Sequence, residues 1–208
     1  MTADDRQMAL EELASAARRM VQVVITTDAG ADTVRATAEE LNKLAERIDL
    51  NISGADYRDR YDAETRKTAN PFDSPRNPLA PPLRTLAWEG GRYQGEVELG
   101  PAHEGPPGRV HGGVVAGLLD NCSGRATSSL GLFAMSAKIE VRFLAGTPYG
   151  EPLTITADVV EQDGRRLTVD AEVETVSGQV TATSRALFVR IDEHGRWRPP
   201  VAELSPLD

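Results

Sequence analysis

Cysteine and histidine are scarce in this chain of 208 residues, and the 23 basic residues are outnumbered by 32 acidic ones. The single cysteine, Cys122, excludes an internal disulfide and says little about the compartment. The three histidines, His103, His111 and His194, are too scattered in sequence to form a recognisable metal motif, so we predict no metal site. A formal net charge of −9 argues against general binding to nucleic acids or anionic membranes.

Long apolar runs are also missing, and none reaches the length that spans a membrane. The acidic start, Met1 to Asp5, is not followed by the apolar core of a signal peptide. We therefore expect a cytoplasmic protein without membrane insertion. The hydrophobic content of 40% and the charged content of 26% are typical of a globular domain, and the length suits one domain with an appendage.

The first half of the chain predicts two segments ahead of the main domain. Apolar residues recur at helical spacing over residues 4–26 and again from Val34 to Ile48, which predicts a helical hairpin within residues 1–50. Residues 51–82 are polar and then rich in proline, which is typical of a semi-rigid connector. The sequence does not indicate what the hairpin does.

The pattern changes from helical to alternating at residue 83. Leu83–Trp88 and Arg92–Leu99 predict two strands, and later segments predict a strand over 133–143 and two hairpins that end with Val180–Ile191. Turns are predicted at Gly90-Gly91, Asp163-Gly164 and Ser177-Gly178. The main domain therefore covers residues 83–191, and residues 192–208 form a tail. The strand over 133–143 alternates throughout, and its polar side consists of Ala134, Ser136, Lys138, Glu140 and Arg142.

One stretch combines a turn, a helix start and a carboxylate. Two prolines and two glycines in Glu104–Gly108 lead into His111-Gly112-Gly113 and a predicted helix that ends near Ser129. Unpaired N–H groups at a helix start suit an oxyanion, and Asp120 follows about two turns later, so an acyl-transfer site is one interpretation. A tightly packed helix with a satisfied Asp120 explains the geometry equally well. Helical spacing places an apolar stripe on one side and small residues with Asp120 on the other, the stripe being Val115, Leu118, Leu119, Cys122 and Ala126.

The motif His-Gly-Gly, with Asp nine residues after the His, resembles the hotdog-fold thioesterases of the 4-hydroxybenzoyl-CoA thioesterase superfamily. The preceding Glu-Gly-Pro-Pro-Gly run and the later Met135-Ser136-Ala137 are similar to the PaaI-type branch and its eukaryotic thioesterase-superfamily-member relatives. The resemblance covers about Leu83 to Ile191. It implies an α+β hotdog fold, in which an antiparallel sheet wraps a long central helix. It also implies an acyl-CoA thioesterase that is a homodimer or a dimer of dimers, with the site between subunits and no cofactor beyond the coenzyme A of the substrate.

The resemblance assigns roles to four residues. Asp120 is expected to act as general base or as nucleophile, and the Gly112 N–H is expected to stabilise the oxyanion. His111 either orients the thioester or holds the turn by hydrogen bonding. Ser136 either helps to hold the attacking water or the carboxylate, or is an ordinary solvent-facing serine. Some relatives carry an Asn or Gln shortly before the His, whereas this chain has Glu104 there.

A polyanionic ligand needs a local basic patch on so acidic a chain. The turn at Gly164 carries Arg165 and Arg166, and guanidinium groups suit phosphate. The matching turn of related thioesterases contacts the coenzyme A nucleotide, so these residues, with Lys138 and Arg142, are candidate contacts for coenzyme A. The alternative function is a non-catalytic hotdog protein that binds acyl-CoA or lipid. A hotdog hydratase is a third hypothesis, but its usual His and acid pattern is not found.

Overall fold

The computed structural model describes residues 3–49 and 70–191. The predictions for most of the connector and for the tail therefore lie outside the described residues. The chain divides into two compact units, Met1–Pro78 and Leu79–Asp208, and each is described by itself. None of the described helices is both long and apolar enough to cross a membrane.

The first unit contains the predicted helical hairpin. Helix α1 spans Ala3–Thr26 and helix α2 spans Ala31–Asp49. A shallow groove between them is lined by Leu41 of α2 and by the last turns of α1. The Arg18 guanidinium donates to the Asn77 carbonyl at 3.1 Å, which holds the last part of the connector against α1.

The second unit contains six strands and one long helix. The strands are β1 (Arg84–Glu89), β2 (Arg92–Glu98), β3 (Ala134–Phe143), β4 (Pro152–Asp163), β5 (Arg166–Thr175) and β6 (Val180–Arg190). Helix α3, Gly112–Ser128, lies between β2 and β3 in sequence. All pairings are antiparallel in the order β1-β2-β4-β5-β6-β3, so β3 is an edge strand beside β6. The predicted glycine turns are present, because Gly90, Gly91, Gly164 and Gly178 all have positive φ.

Helix α3 packs against all six strands, and the core lies between the helix and the sheet. This arrangement is the hotdog fold, which confirms the predicted fold class. The whole predicted apolar stripe of α3 is buried. The sheet contributes residues that alternate along each strand and face the helix: Tyr93, Val97, Leu153, Ile155, Leu167, Val169, Val173, Ala186 and Phe188.

The predicted alternation of β3 is wrong at its start. The register shifts between Ser136 and Lys138, so Ala137 is an extra residue and β3 contains a bulge. After the bulge, Ile139 pairs with the buried Ala186, so odd-numbered residues face the helix. Before the bulge, Ser136 pairs with the buried Phe188 and faces the helix as well, not the polar outer side.

Candidate active site

His111 forms the N-cap of α3. Its backbone is extended, with φ −61° and ψ 132°, and its Nδ1 accepts a hydrogen bond from the Gly113 N–H at 2.9 Å. Its carbonyl accepts from the N–H groups of Val114 and Val115, at 2.9 and 3.2 Å. The His111 side chain therefore holds the helix start by hydrogen bonding, and a role in orienting the thioester stays a prediction.

Capping leaves Gly112 as the donor at this helix start. Its N–H has no acceptor among the described residues, whereas the neighbouring Gly113 N–H is used by His111. The Phe143 ring lies so close that a Cβ built on Gly112 would be 3.2 Å from its Cζ. Phe143 is 57% exposed, so one side of the ring faces outward while the other covers the helix start. The resemblance predicted the Gly112 N–H as the oxyanion donor, and that role stays a prediction. The aromatic neighbour was missed, because Gly112 and Phe143 are 31 positions apart in sequence.

Asp120 is half-buried on α3. Burial raises the pKa of its carboxyl above the ordinary 3.8, and a hydrogen bond with the Ser136 side chain acts in the opposite direction by lowering that pKa. Its Oδ1 is buried and has no hydrogen-bond partner among the described residues. A carboxyl in this state retains an acceptor that faces no protein donor, which is an arrangement suited to holding a water or a substrate.

Ser136 reaches Asp120 because of the bulge in β3. A regular strand would point this side chain to the outer side of the sheet, as the sequence pattern predicts. The extra residue Ala137 turns it toward the helix instead. The structure therefore brings Ser136 and Asp120 together, and it brings Gly112 and Phe143 together. The first pair lies in the middle of α3, and the second pair lies at its N-terminus.

The basic residues predicted for phosphate contact do not form one cluster. Lys138 forms an ion pair with Glu140 at 2.8 Å on the outer side of β3. Arg165, in the turn after Gly164, donates from Nη2 and Nε to the Arg190 carbonyl at 2.7 and 3.1 Å. Arg142 lines a groove on the outer face of the sheet, where acidic side chains are also present. Contact of Gly164, Arg165, Arg166, Lys138 and Arg142 with coenzyme A stays a prediction.

Similarity to known proteins agrees with this arrangement. The profile of the Thioesterase superfamily matches residues 107–182, which include the helix start, Asp120 and Ser136. A solved structure described as a thioesterase superfamily protein is 35% identical, with a TM-score of 0.78, and the match covers 86% of this chain and 94% of that one. The chain belongs to the thioesterase superfamily.

Two further proteins are similar to this chain at lower sequence identity. The acyl-coenzyme A thioesterase THEM4 of Mus musculus is 28% identical over 101 residues, which are 48% of this chain and 42% of that protein. The match therefore spans less than half the length of this curated relative. The PaaI protein of E. coli, from the phenylacetic acid degradation operon, is 24% identical with a TM-score of 0.51, over 52% of this chain and 79% of that one. This last likeness concerns the fold alone.

Proposed function

We propose that this thioesterase superfamily member is an acyl-CoA thioesterase, which hydrolyses an acyl-CoA to the free acid and coenzyme A. The observation that carries the proposal is the Asp120–Ser136 pair, a half-buried carboxyl with a raised pKa and an unpartnered Oδ1. Perturbed carboxyls of this kind are typical of functional sites. The name of the mouse relative, an acyl-coenzyme A thioesterase, supports the choice of substrate class.

Thioester hydrolysis requires activation of water and stabilisation of an oxyanion. With Asp120 as general base, the carboxylate takes a proton from water while the oxygen of that water bonds to the thioester carbon. The Gly112 N–H donates to the resulting oxyanion. The intermediate then collapses, the C–S bond breaks, and the proton passes to the departing thiolate. With Asp120 as nucleophile, the carboxylate bonds to the thioester carbon, the C–S bond breaks, and coenzyme A leaves as the thiolate. Water then cleaves the resulting acyl anhydride, which regenerates the Asp120 carboxylate, releases the free acid and supplies the proton that the thiolate takes up. The same oxyanion donor serves both steps.

Within one protomer, the backbones of Gly112 and Asp120 lie far apart for two groups that act on the same carbonyl. Gly112 and Asp120 are eight positions apart, which is about 12 Å along a helix. An oxyanion lies about 3 Å from its donor, and an attacking atom lies about 3 Å from the carbon, so the two groups must lie within about 7 Å, or about 10 Å through a water. We infer that the Gly112 of one protomer works with the Asp120 of a second.

The edge position of β3 supports a two-fold partner. This strand is ten residues long, and among the described strands it pairs with β6 alone. Antiparallel pairing of two β3 edges about a two-fold axis would place the Phe143 end of one strand beside the Ser136 end of the other. Because Phe143 covers Gly112 and Ser136 bonds Asp120, such a homodimer would bring the donor and the carboxylate of different protomers together.

A thiol-release assay with short, long and aromatic acyl-CoAs tests the proposal. We expect hydrolysis of at least one class by the wild type, and we expect Asp120→Asn to lower kcat by roughly 10²–10⁴-fold, since the amide neither accepts a proton nor attacks. Asn121→Ala, one position along α3, is the control and should retain activity. Binding of acyl-CoA without turnover, unchanged by Asp120→Asn, would instead indicate the non-catalytic alternative.

A further inference from the structure

The loop that precedes the helix start is closed by its own backbone. Gly105 N–H donates to the Arg109 carbonyl and Arg109 N–H donates to the Pro106 carbonyl, both at 2.9 Å. The His111 N–H then donates to the His103 carbonyl at 2.8 Å. The loop, defined here as residues 104–111, therefore ends in a fixed position one residue before the Gly112 donor.

A single carboxylate oxygen connects this loop to a second one. Glu104 Oε1 accepts from the Gly108 N–H at 2.7 Å and from the Tyr149 hydroxyl at 3.2 Å. Gly108 has a φ of +72°, a conformation that favours glycine and points its N–H back at Glu104. Tyr149 belongs to the segment between β3 and β4, which also pairs with the loop through the Val110 N–H and the Thr147 carbonyl at 2.9 Å.

The loop is in direct contact with the cap of the helix. A Cβ built on Gly105 would lie 2.8 Å from the Cα of His111 and 3.1 Å from its Cβ, so the backbone at Gly105 already lies against His111. His111 in turn holds the Gly113 N–H. A shift of the loop would therefore move His111 and, through the cap, change where the Gly112 N–H points.

We propose that Glu104, together with Tyr149, is a positioning residue that orients the Gly112 N–H toward the oxyanion. This inference rests on the proposed thioesterase function. A charged acceptor shared by two donors holds a loop more firmly than a neutral one. Glu104 has both donors on one oxygen and acts through the loop and His111, without contact to the reacting atoms.

Three substitutions distinguish positioning from the other roles of a glutamate. Glu104→Ala removes the acceptor, Glu104→Gln retains an acceptor oxygen without the charge, and Tyr149→Phe removes one donor. Glu151→Ala, a nearby glutamate outside this network, is the matched control. We expect Glu104→Ala to lower kcat by roughly 10-fold to 100-fold with KM changed less than about twofold, since misplacing a group by about 1 Å can cost 10²-fold.

The conservative variants complete the test. We expect Glu104→Gln to retain kcat within about threefold of the wild type, and Tyr149→Phe to lie between the Gln and Ala variants. Equal loss in the Gln and Ala variants would overturn the proposal and indicate that Glu104 is itself an acid or base. An unchanged kcat in Glu104→Ala, or a change in KM alone, would overturn it too.

Hydrogen exchange separates this proposal from the thioesterase function on which it rests. We expect amides in residues 108–114 to exchange faster in Glu104→Ala than in the wild type, and at a rate between these two in Glu104→Gln, which keeps the acceptor without the charge. If the wild type hydrolyses no thioester but the three proteins show this exchange pattern, the proposed function is wrong, while the role of Glu104 in holding the loop stands. Equal exchange in the wild type and both variants would show that Glu104 does not hold the loop.

Discussion

At the scale of one side chain, two opposing influences act on the pKa of the Asp120 carboxyl. Burial raises the pKa of its carboxyl, and the Ser136 hydrogen bond lowers it. Burial is the larger influence, so the carboxylate is a stronger base than that of an exposed aspartate. A base of this kind is matched to proton abstraction from water.

The Ser136 hydrogen bond predicts a shift in the pH profile. In Ser136→Ala the influence that lowers the Asp120 pKa is lost, so the pKa rises and the acid limb of kcat/KM moves to higher pH. Ser136→Thr keeps the hydroxyl, so the acid limb of its kcat/KM profile should lie at the same pH as that of the wild type. The measurement is kcat/KM across pH for all three proteins. Superimposable limbs for the Ala variant and the wild type would contradict the role given to Ser136.

The raised pKa of Asp120 also predicts a difference in stability between the wild type and Asp120→Asn. A carboxyl whose pKa is raised by folding binds its proton more tightly in the folded state, so stability falls as pH rises from the ordinary 3.8 through the raised pKa. The neutral amide of Asp120→Asn lacks this loss, and we expect it to melt at a higher temperature than the wild type at pH 7. The difference should shrink toward pH 3.5. A lower melting temperature of the variant at pH 7 would speak against a carboxylate that is destabilised by burial.

At the scale of one element, the start of α3 assigns two tasks to two neighbouring residues: His111 caps the helix, and Gly112 keeps an N–H that can donate to a substrate. His111 uses the Gly113 N–H, while Gly112 at the first helical position keeps its N–H. The first helical position is one where a proline fits, because it needs no N–H and the residue before it is extended. The helix start therefore allows the donor to be removed without removing the helix.

Two substitutions at Gly112 isolate the donor. Gly112→Pro removes the N–H, and Gly112→Ala keeps it while adding a Cβ that meets the same Phe143 ring, which is exposed enough to move. We expect the proline variant to lower kcat by roughly 10²–10³-fold. The alanine variant should stay within about tenfold of the wild type. Equal loss in the two variants would show that crowding at Phe143, and not the missing N–H, is responsible.

The bounds of the helices and strands could be predicted from the sequence to within about three residues. The helix pattern around Leu118 and the glycine turns at Gly90 and Gly164 are local signals, because a helix stripe and a positive φ depend on few neighbours. The bulge at Ala137 could not be predicted, since an extra residue is defined only against the partner strand. That bulge decides where Ser136 points, so the sequence left its two interpretations equal.

At the scale of the molecule, the sheet order is the feature that the sequence did not determine. The hairpins β4–β5 and β5–β6 follow from their turns, but the pairing of β3 with β6 joins residues that are 39 to 56 positions apart. This pairing makes β3 the edge strand and places both the Gly112 end and the Asp120 end of the candidate site along it. The proposed homodimer, with a site shared between protomers, depends on that edge.

Complementation between two inactive variants tests the shared site most directly. Heterodimers of Asp120→Asn and Gly112→Pro, isolated through two different tags, retain one complete pair if the site joins Gly112 of one protomer to Asp120 of the other. We then expect about half the wild-type activity per dimer, although each parent is inactive. The matched control is a heterodimer of the wild type with a protomer carrying both substitutions, which should have no complete site. Inactive complementing heterodimers, beside control heterodimers that keep half the activity, would contradict the account.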